Sequence, residues 1–125
     1  DEIVRMASPV TFMRRTATRD LTLSDHDISE GDKMILFYGA ANRDPRAFED
    51  PERFDVRRDP NPHVGFGGPG PHFCLGAHLA RREITVIFKE LLTRSPEIAA
   101  VSEPDRLLSN FIHGIKHLDG EVAPG

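Results

Sequence analysis

The sequence predicts an α+β fold, mainly helical, with small antiparallel sheets, and three observations carry that expectation. Apolar residues at three- and four-residue spacing run from Leu75 through Ala77, Leu79, Ala80, Ile84 and Ile87 to Leu91, the pattern of a long amphipathic helix. Upstream, short apolar runs such as Leu21-Thr22-Leu23 and Lys33 to Tyr38 are separated by turn residues, the pattern of short strands and hairpins. Between the two regions, Phe66 to Gly76 reads Phe-Gly-Gly-Pro-Gly-Pro-His-Phe-Cys-Leu-Gly. Its four glycines and two prolines bar regular structure, because glycine costs backbone entropy while proline fixes φ and lacks a donor.

Taken in order, the chain opens on Glu2 and Arg5, three apart among apolar Ile3, Val4 and Met6, so the two charges share one face of a helix. Ser8-Pro9 ends that helix, since a residue before proline is displaced from the α region, and Val10, Thr11 and Phe12 run extended. Leu21-Thr22-Leu23, a turn at Ser24 to Asp27, Ile28 and a second turn at Glu30-Gly31-Asp32 compose a hairpin. Lys33 to Tyr38 is the most strand-like run and is expected at the centre of a small sheet. Asn42-Arg43-Asp44-Pro45 to Pro51 reads as a short helix between turns, with Pro45 at an early helical position. Asp55 to His63 is an irregular meander leading through Pro62-His63-Val64 to the glycine-rich loop. Ser95-Pro96 stops the long helix. Ile98 to Val101 and Leu107 to Leu118 read as short strands with Gly114 at a hairpin tip, and Asp119 to Gly125 as a frayed tail.

A length of 125 residues suits one modest domain. Sixteen Lys and Arg against 20 Asp and Glu give a net charge of −4 with no basic run, which does not imply nucleic acid. One cysteine excludes an internal disulfide and suits a reducing compartment. No apolar run approaches the roughly 18 to 20 residues of a membrane span and no signal peptide opens the chain, so a soluble cytoplasmic protein is expected. The chain starts without Met in what reads as mid-helix, and is expected to belong to something longer.

Chemistry concentrates at Cys74. Unpaired N–H groups and the positive end of the helix dipole favour an anion where it sits, and thiolate is the form of cysteine that binds metals. A phosphate-binding P-loop fails for want of Gly-Lys-Ser/Thr. His72, His78 and one Cys make a poor zinc set. A buried, inert cysteine is the plain alternative.

The loop resembles the haem-binding loop of the cytochrome P-450 family, the haem-thiolate monooxygenases. That signature is Phe, Gly, a further Gly, a basic residue two before the Cys, the Cys, and Gly two after it: here Phe66, Gly67, Gly70, His72, Cys74 and Gly76. The usual Phe lies seven residues before the Cys, whereas Phe66 lies eight before Cys74, and the extra residue reads as a bulge among Gly67, Gly68 and Pro69. The resemblance runs from the first residues to about Leu118. It implies that residues 1–125 are the C-terminal haem-binding portion of a single P-450 domain, the N-terminal two thirds lying upstream. It also implies haem b, iron-protoporphyrin IX, with Cys74 as the axial thiolate that pushes electron density onto iron and favours O–O cleavage. His72 and Arg15 of Arg15-Thr16-Ala17 would hold the propionates, with Arg14 a neighbour able to substitute, while Phe66 and the glycines would shield the sulfur.

Glu2 and Arg5 match the family's Glu-x-x-Arg pair, joined by a further Arg in a buried ion network that must be fully paired. That Arg is Arg53 of Pro51-Glu52-Arg53-Phe54, the preferred match, or Arg58 after Phe54-Asp55-Val56-Arg57. Val10, Thr11, Phe12, Phe111 and Ile112 would face the substrate, or simply pack. The implied activity is insertion of one oxygen atom from O2 into a C–H bond of an apolar lipid, sterol or terpenoid. Electrons would come from NAD(P)H through a ferredoxin or flavoprotein, docked on the stripe of His78, Arg81, Arg82, Thr85 and Lys89 or else leaving it merely solvated. Asn42-Arg43-Asp44, the lengthened loop and Asn110 to Lys116 look most like actinobacterial members that hydroxylate terminal carbons of sterols or methyl-branched lipids. The family's proton-delivering acid and threonine lie upstream, so this portion alone is expected to be inactive and to expose much apolar helix surface. The competing readings are a stand-alone haem-thiolate binder or sensor, and a remnant without haem.

Overall fold

The computed structural model describes residues 1–94 and 97–122. Helix α1 (Glu2–Ala7) is closed by Ser8, whose φ of 38° is left-handed and whose N–H returns to the Val4 carbonyl at 3.0 Å. The chain then extends into β1 (Phe12–Thr16), which pairs antiparallel with β4 (Lys33–Phe37), Phe12 opposite Phe37. Between them β2 (Leu21–Leu23) and β3 (His26–Ile28) form the expected hairpin, its turn made by Ser24 at φ 53°. β4 takes no third strand among the described residues, so it is one of two edges rather than a sheet centre.

The short helix comes earlier than the sequence suggests. It is a single turn, α2 (Tyr38–Ala41), running straight on from β4. Residues 42–53 are a succession of turns, because Pro45 has no N–H to contribute and Asp50, left-handed at φ 44°, reverses the chain before a helix can propagate. Helix α3 (Ala77–Arg94) is the longest element. The stop assigned to Ser95-Pro96 lies outside the described residues.

Beyond it, β5 (Ile98–Ala100) pairs with β8 (Gly120–Val122), and β6 (Asp105–Arg106) with β7 (Ile115–His117). Residues 107–114 are therefore a loop rather than strand, and Gly114 closes it by accepting the Leu107 N–H at 3.0 Å instead of forming its tip. The tail does not fray at residues 120–122, because its ladder with β5 satisfies the backbone; residues 123–125 lie outside the description.

The architecture is α+β, helices beside four two-stranded antiparallel sheets among the described residues. Its best-buried residues are an unusual set: apolar Val4, Ala17, Tyr38, Phe48 and Ala77 beside polar Glu2, Arg5, Ser8 and Asn42. Meanwhile α3 leaves Leu79, Ile87 and Leu92 more than half exposed. The centre is thus a polar knot, and the apolar helix face has no cover of its own. Among the described residues no helix is long and apolar enough to cross a membrane.

Candidate functional site

The polar knot is built on Arg5, which is fully buried. Its Nε and Nη2 fork onto the two Glu2 oxygens at 2.7 Å each. Nη1 donates to the carbonyls of Asn42 and Pro51 at 2.8 Å, and Nη2 to that of Arg53 at 3.0 Å. Glu2 also accepts the Asp55 N–H at 2.9 Å and the Asn61 amide at 3.0 Å. The hydrogen bond from Arg5, supported by Asp55 N–H and Arg58, holds the Glu2 carboxyl at about 2 against the opposing effect of burial.

The choice between the two candidate arginines goes to Arg58, correcting the preference for Arg53. Arg58 Nε stands 3.4 Å from Glu2, and its other nitrogens cap the carbonyls of Glu49, Asp50 and Arg53. Arg53 lies in a turn, its N–H bound to the Asp50 carbonyl, which turns its own carbonyl inward while its side chain stays 63% exposed beside Asp55. Phe48 lies beneath both guanidinium groups, 5.1 Å from Arg5 and 5.9 Å from Arg58.

Asn42 is the member that sequence reading missed. Fully buried, it donates to Ser8 Oγ at 2.9 Å and accepts the Val64 N–H at 2.8 Å, so it ties the ion network to the segment that enters the cysteine loop. Asn-Arg-Asp reads as a turn, and nothing in that triplet distinguishes a buried amide from an exposed one.

Gly65, at the loop entry, packs directly on α1. A Cβ there would lie 2.7 Å from Val4 Cγ1 and 3.3 Å from the Val4 carbonyl. Gly65→Ala is accordingly expected to destabilise by about 1–3 kcal/mol, visible as a lowered melting temperature. Gly68→Ala, with nothing within 4 Å of its Cβ, should leave melting unchanged.

The loop itself is closed by one hydrogen bond, Cys74 N–H to the Phe66 carbonyl at 2.9 Å, so the extra residue is absorbed between two fixed anchors. Gly67 at φ 86° and Gly70 at φ 127° take conformations that side chains disfavour. At Gly67 a Cβ would also touch the His72 carbonyl and Tyr38 Oη. Gly76 is less constrained, since a Cβ there would sit in ordinary contact, 3.9 Å from Cys74 Sγ. Cys74 is exposed three residues before α3 begins, and its carbonyl accepts the Ala77 N–H at 3.1 Å, starting the helix.

Beside the loop lies a cavity of about 570 Å³, whose walls include Arg15, Phe37, Tyr38, Gly67, Gly70 and His72. That volume falls within the roughly 300–1,000 Å³ of small-molecule and cofactor sites. Arg15 and His72, 57 residues apart, share this wall; Arg14 does not line it, and Cys74 stands outside it. Arg15 is steadied by donating to the Arg14 carbonyl at 3.0 Å.

The residues assigned to a substrate face also converge. Val10 and Ile112 form an isolated bridge, Thr11 N–H donates to the Phe111 carbonyl at 2.9 Å, and the Phe12 and Phe111 rings meet edge-on at 5.6 Å. Phe37, opposite Phe12 at 6.0 Å, joins them although it was expected only as part of a strand. On α3, Arg82 and Lys89 are exposed, whereas Arg81 is engaged with Asp1 at 2.8 Å and lies over the Phe66 ring.

The family model described as Cytochrome P450 matches residues 1–100. A methyl-branched lipid omega-hydroxylase of Mycobacterium tuberculosis is 59% identical over 118 residues, 94% of this chain and 28% of that protein. A steroid C26-monooxygenase of Rhodococcus jostii is 49% identical over 127 residues, 100% of this chain and 27% of that protein. Among solved structures, a Mycobacterium marinum cytochrome P450 in complex with pseudoionone superposes with a TM-score of 0.91 at 50% identity, covering 95% of this chain and 28% of that one. The chain thus spans little more than a quarter of the length of these relatives.

Proposed function

The chain belongs to the cytochrome P450 family, and from that premise we propose that residues 1–125 are the C-terminal haem-binding portion of a single-domain monooxygenase. It would insert one oxygen atom from O2 into a C–H bond of a lipid-like or steroid substrate. The observation that carries the reading is local: an exposed sulfur at the end of a glycine loop, beside a cavity walled by that loop and by two side chains suited to carboxylates.

The residues fit a haem b. Cys74 is a free, exposed cysteine, a soft ligand in its thiolate form. Arg15 offers a planar fork and His72 a ring nitrogen to the two propionates. Gly67 and Gly70 leave the cavity wall without side chains where a flat group must approach. When bound, a thiolate-ligated haem supplies the activation of oxygen. The chain's own part would be to fix the Cys74 backbone through its hydrogen bond to the Phe66 carbonyl and to neutralise the propionates.

The names of the relatives support an apolar substrate, of the lipid or steroid class, and the Phe12, Phe37 and Phe111 rings are the surface here suited to it. Electrons would come from NAD(P)H through a ferredoxin or flavoprotein in the cytoplasm. Arg81, Arg82 and Lys89 are its proposed docking cations, and Arg81 is also held by Asp1 over the Phe66 ring. Residues 1–125 alone are proposed to be inactive, because they span little more than a quarter of the relatives' length.

Haem titration followed by the spectrum of the reduced carbon-monoxide complex tests the reading. A Soret band at the thiolate position is expected; a histidine-type band, or no haem uptake by the whole protein, would overturn it.

A further inference from the structure

Arg81 does more than a surface ion pair requires. Its Nε donates to Asp1 Oδ1 at 2.8 Å, and its Cζ stands 4.6 Å from the centroid of the Phe66 ring. The same Asp1 oxygen lies 3.1 Å from His63 Nε2, while His63 Nδ1 accepts the Gly65 N–H at 3.1 Å. With Nδ1 accepting, Nε2 carries the proton and donates to Asp1, so neutral imidazole satisfies both partners. Burial first, then the neighbouring Arg81 charge, lowers the His63 pKa, in keeping with that tautomer. The charged groups that act on His63 are Asp1 with its amino group, Arg81, and more weakly Arg5 and Glu2.

The Phe66 ring is thereby enclosed by His63 at 5.8 Å, Phe73 at 6.5 Å and the Arg81 guanidinium. Phe66 in turn holds Cys74 through its carbonyl. An arginine left in solvent keeps its rotamer freedom; here one carboxylate and one aromatic face fix it on the residue that anchors the sulfur.

We propose that Arg81 is a positioning residue for the Cys74 site, its guanidinium fixing the Phe66 ring and through it the loop backbone that sets the sulfur. The inference rests on haem binding at Cys74. A merely structural surface pair would add little stability and leave the site unchanged.

The test uses the haem-loaded whole protein, reading haem reduction potential and haem dissociation rate. Arg81→Gln and Arg81→Lys should both shift the potential away from wild type and speed haem loss by roughly fivefold, the scale of a half-exposed cation–π contact. Lysine keeps the charge but not the planar fork, so it separates ring placement from field. Asp1→Asn, which frees Arg81, should act in the same direction, and serves if Arg81→Gln does not fold. In a Phe66→Leu background Arg81→Gln should add nothing, and Arg94→Gln, at the far end of α3, should have no effect. Wild-type potential and haem loss in Arg81→Lys would overturn this inference alone. A wild-type protein lacking the thiolate-type Soret band would overturn the haem reading and this inference with it.

Discussion

Replacing Cys74 by Ala is expected to abolish the thiolate-type Soret band of the reduced carbon-monoxide complex and to weaken haem binding by at least about a hundredfold. Loss of groups that merely orient a metal ligand typically costs 10–100-fold, and the ligand itself should cost no less. The substitution is a clean one. The Cys74 side chain is exposed and the hydrogen bond that closes the loop uses its backbone N–H, so Ala should keep both the loop and the start of α3. Far-ultraviolet circular dichroism should therefore match wild type while the visible spectrum does not. Unchanged haem affinity and an unchanged visible spectrum in Cys74→Ala would remove the basis for any oxygen chemistry at this site.

What could be read from the sequence follows from how far each signal reaches. The cysteine loop and α3 were legible because their determinants are local: glycines and prolines that forbid regular structure, then an apolar period that lasts for five turns' worth of residues in an 18-residue helix. The β2–β3 hairpin was legible for the same reason. The strand at residues 120–122 was not, because its stability comes from a partner some 20 residues away, and a glycine-bearing tail resembles an unpaired one until β5 is placed beside it. The arginine choice failed on direction. Pro51-Glu52-Arg53-Phe54 spells the family's motif, but the turn at Asp50 directs the Arg53 carbonyl, not its guanidinium, into the network, where it accepts from Arg5 and Arg58. Asn42 could not be found at all without tertiary contacts, since its partners Ser8 and Val64 lie 34 and 22 residues away. The apolar surface of α3 was correctly expected to be exposed, because its periodicity demands a facing layer that the remaining sequence does not supply.

The ion network should show the largest effect on folding. Arg5→Ala would leave the Glu2 carboxylate and the carbonyls of Asn42, Pro51 and Arg53 facing a void where a guanidinium now makes five contacts with them. Removing one partner of a buried pair costs about 3–5 kcal/mol, a large share of the roughly 5–15 kcal/mol that holds a domain together. Little or no folded, haem-loaded protein should be recovered. Arg5→Lys should be nearly as damaging, since an ammonium cannot fork onto two oxygens and three carbonyls at once. The pH dependence gives a second, independent reading of the same pair. The folded-state pKa of Glu2 is lowered from 4.5 to about 2, so the carboxylate's contribution is complete above the unfolded value and is lost as pH falls from 4.5 towards 2. Glu2→Gln should therefore lower the melting temperature at neutral pH yet flatten its decline across that acid window. Asp44, held down by Arg46, and Asp55, held down chiefly by the Arg57 N–H, keep their own acid sensitivity in both proteins, so the difference between the two profiles isolates Glu2. Parallel profiles for wild type and Glu2→Gln through the acid window would mean that the buried fork on Arg5 does not hold in solution, and the loop it supports through Asn42 would lose its anchor.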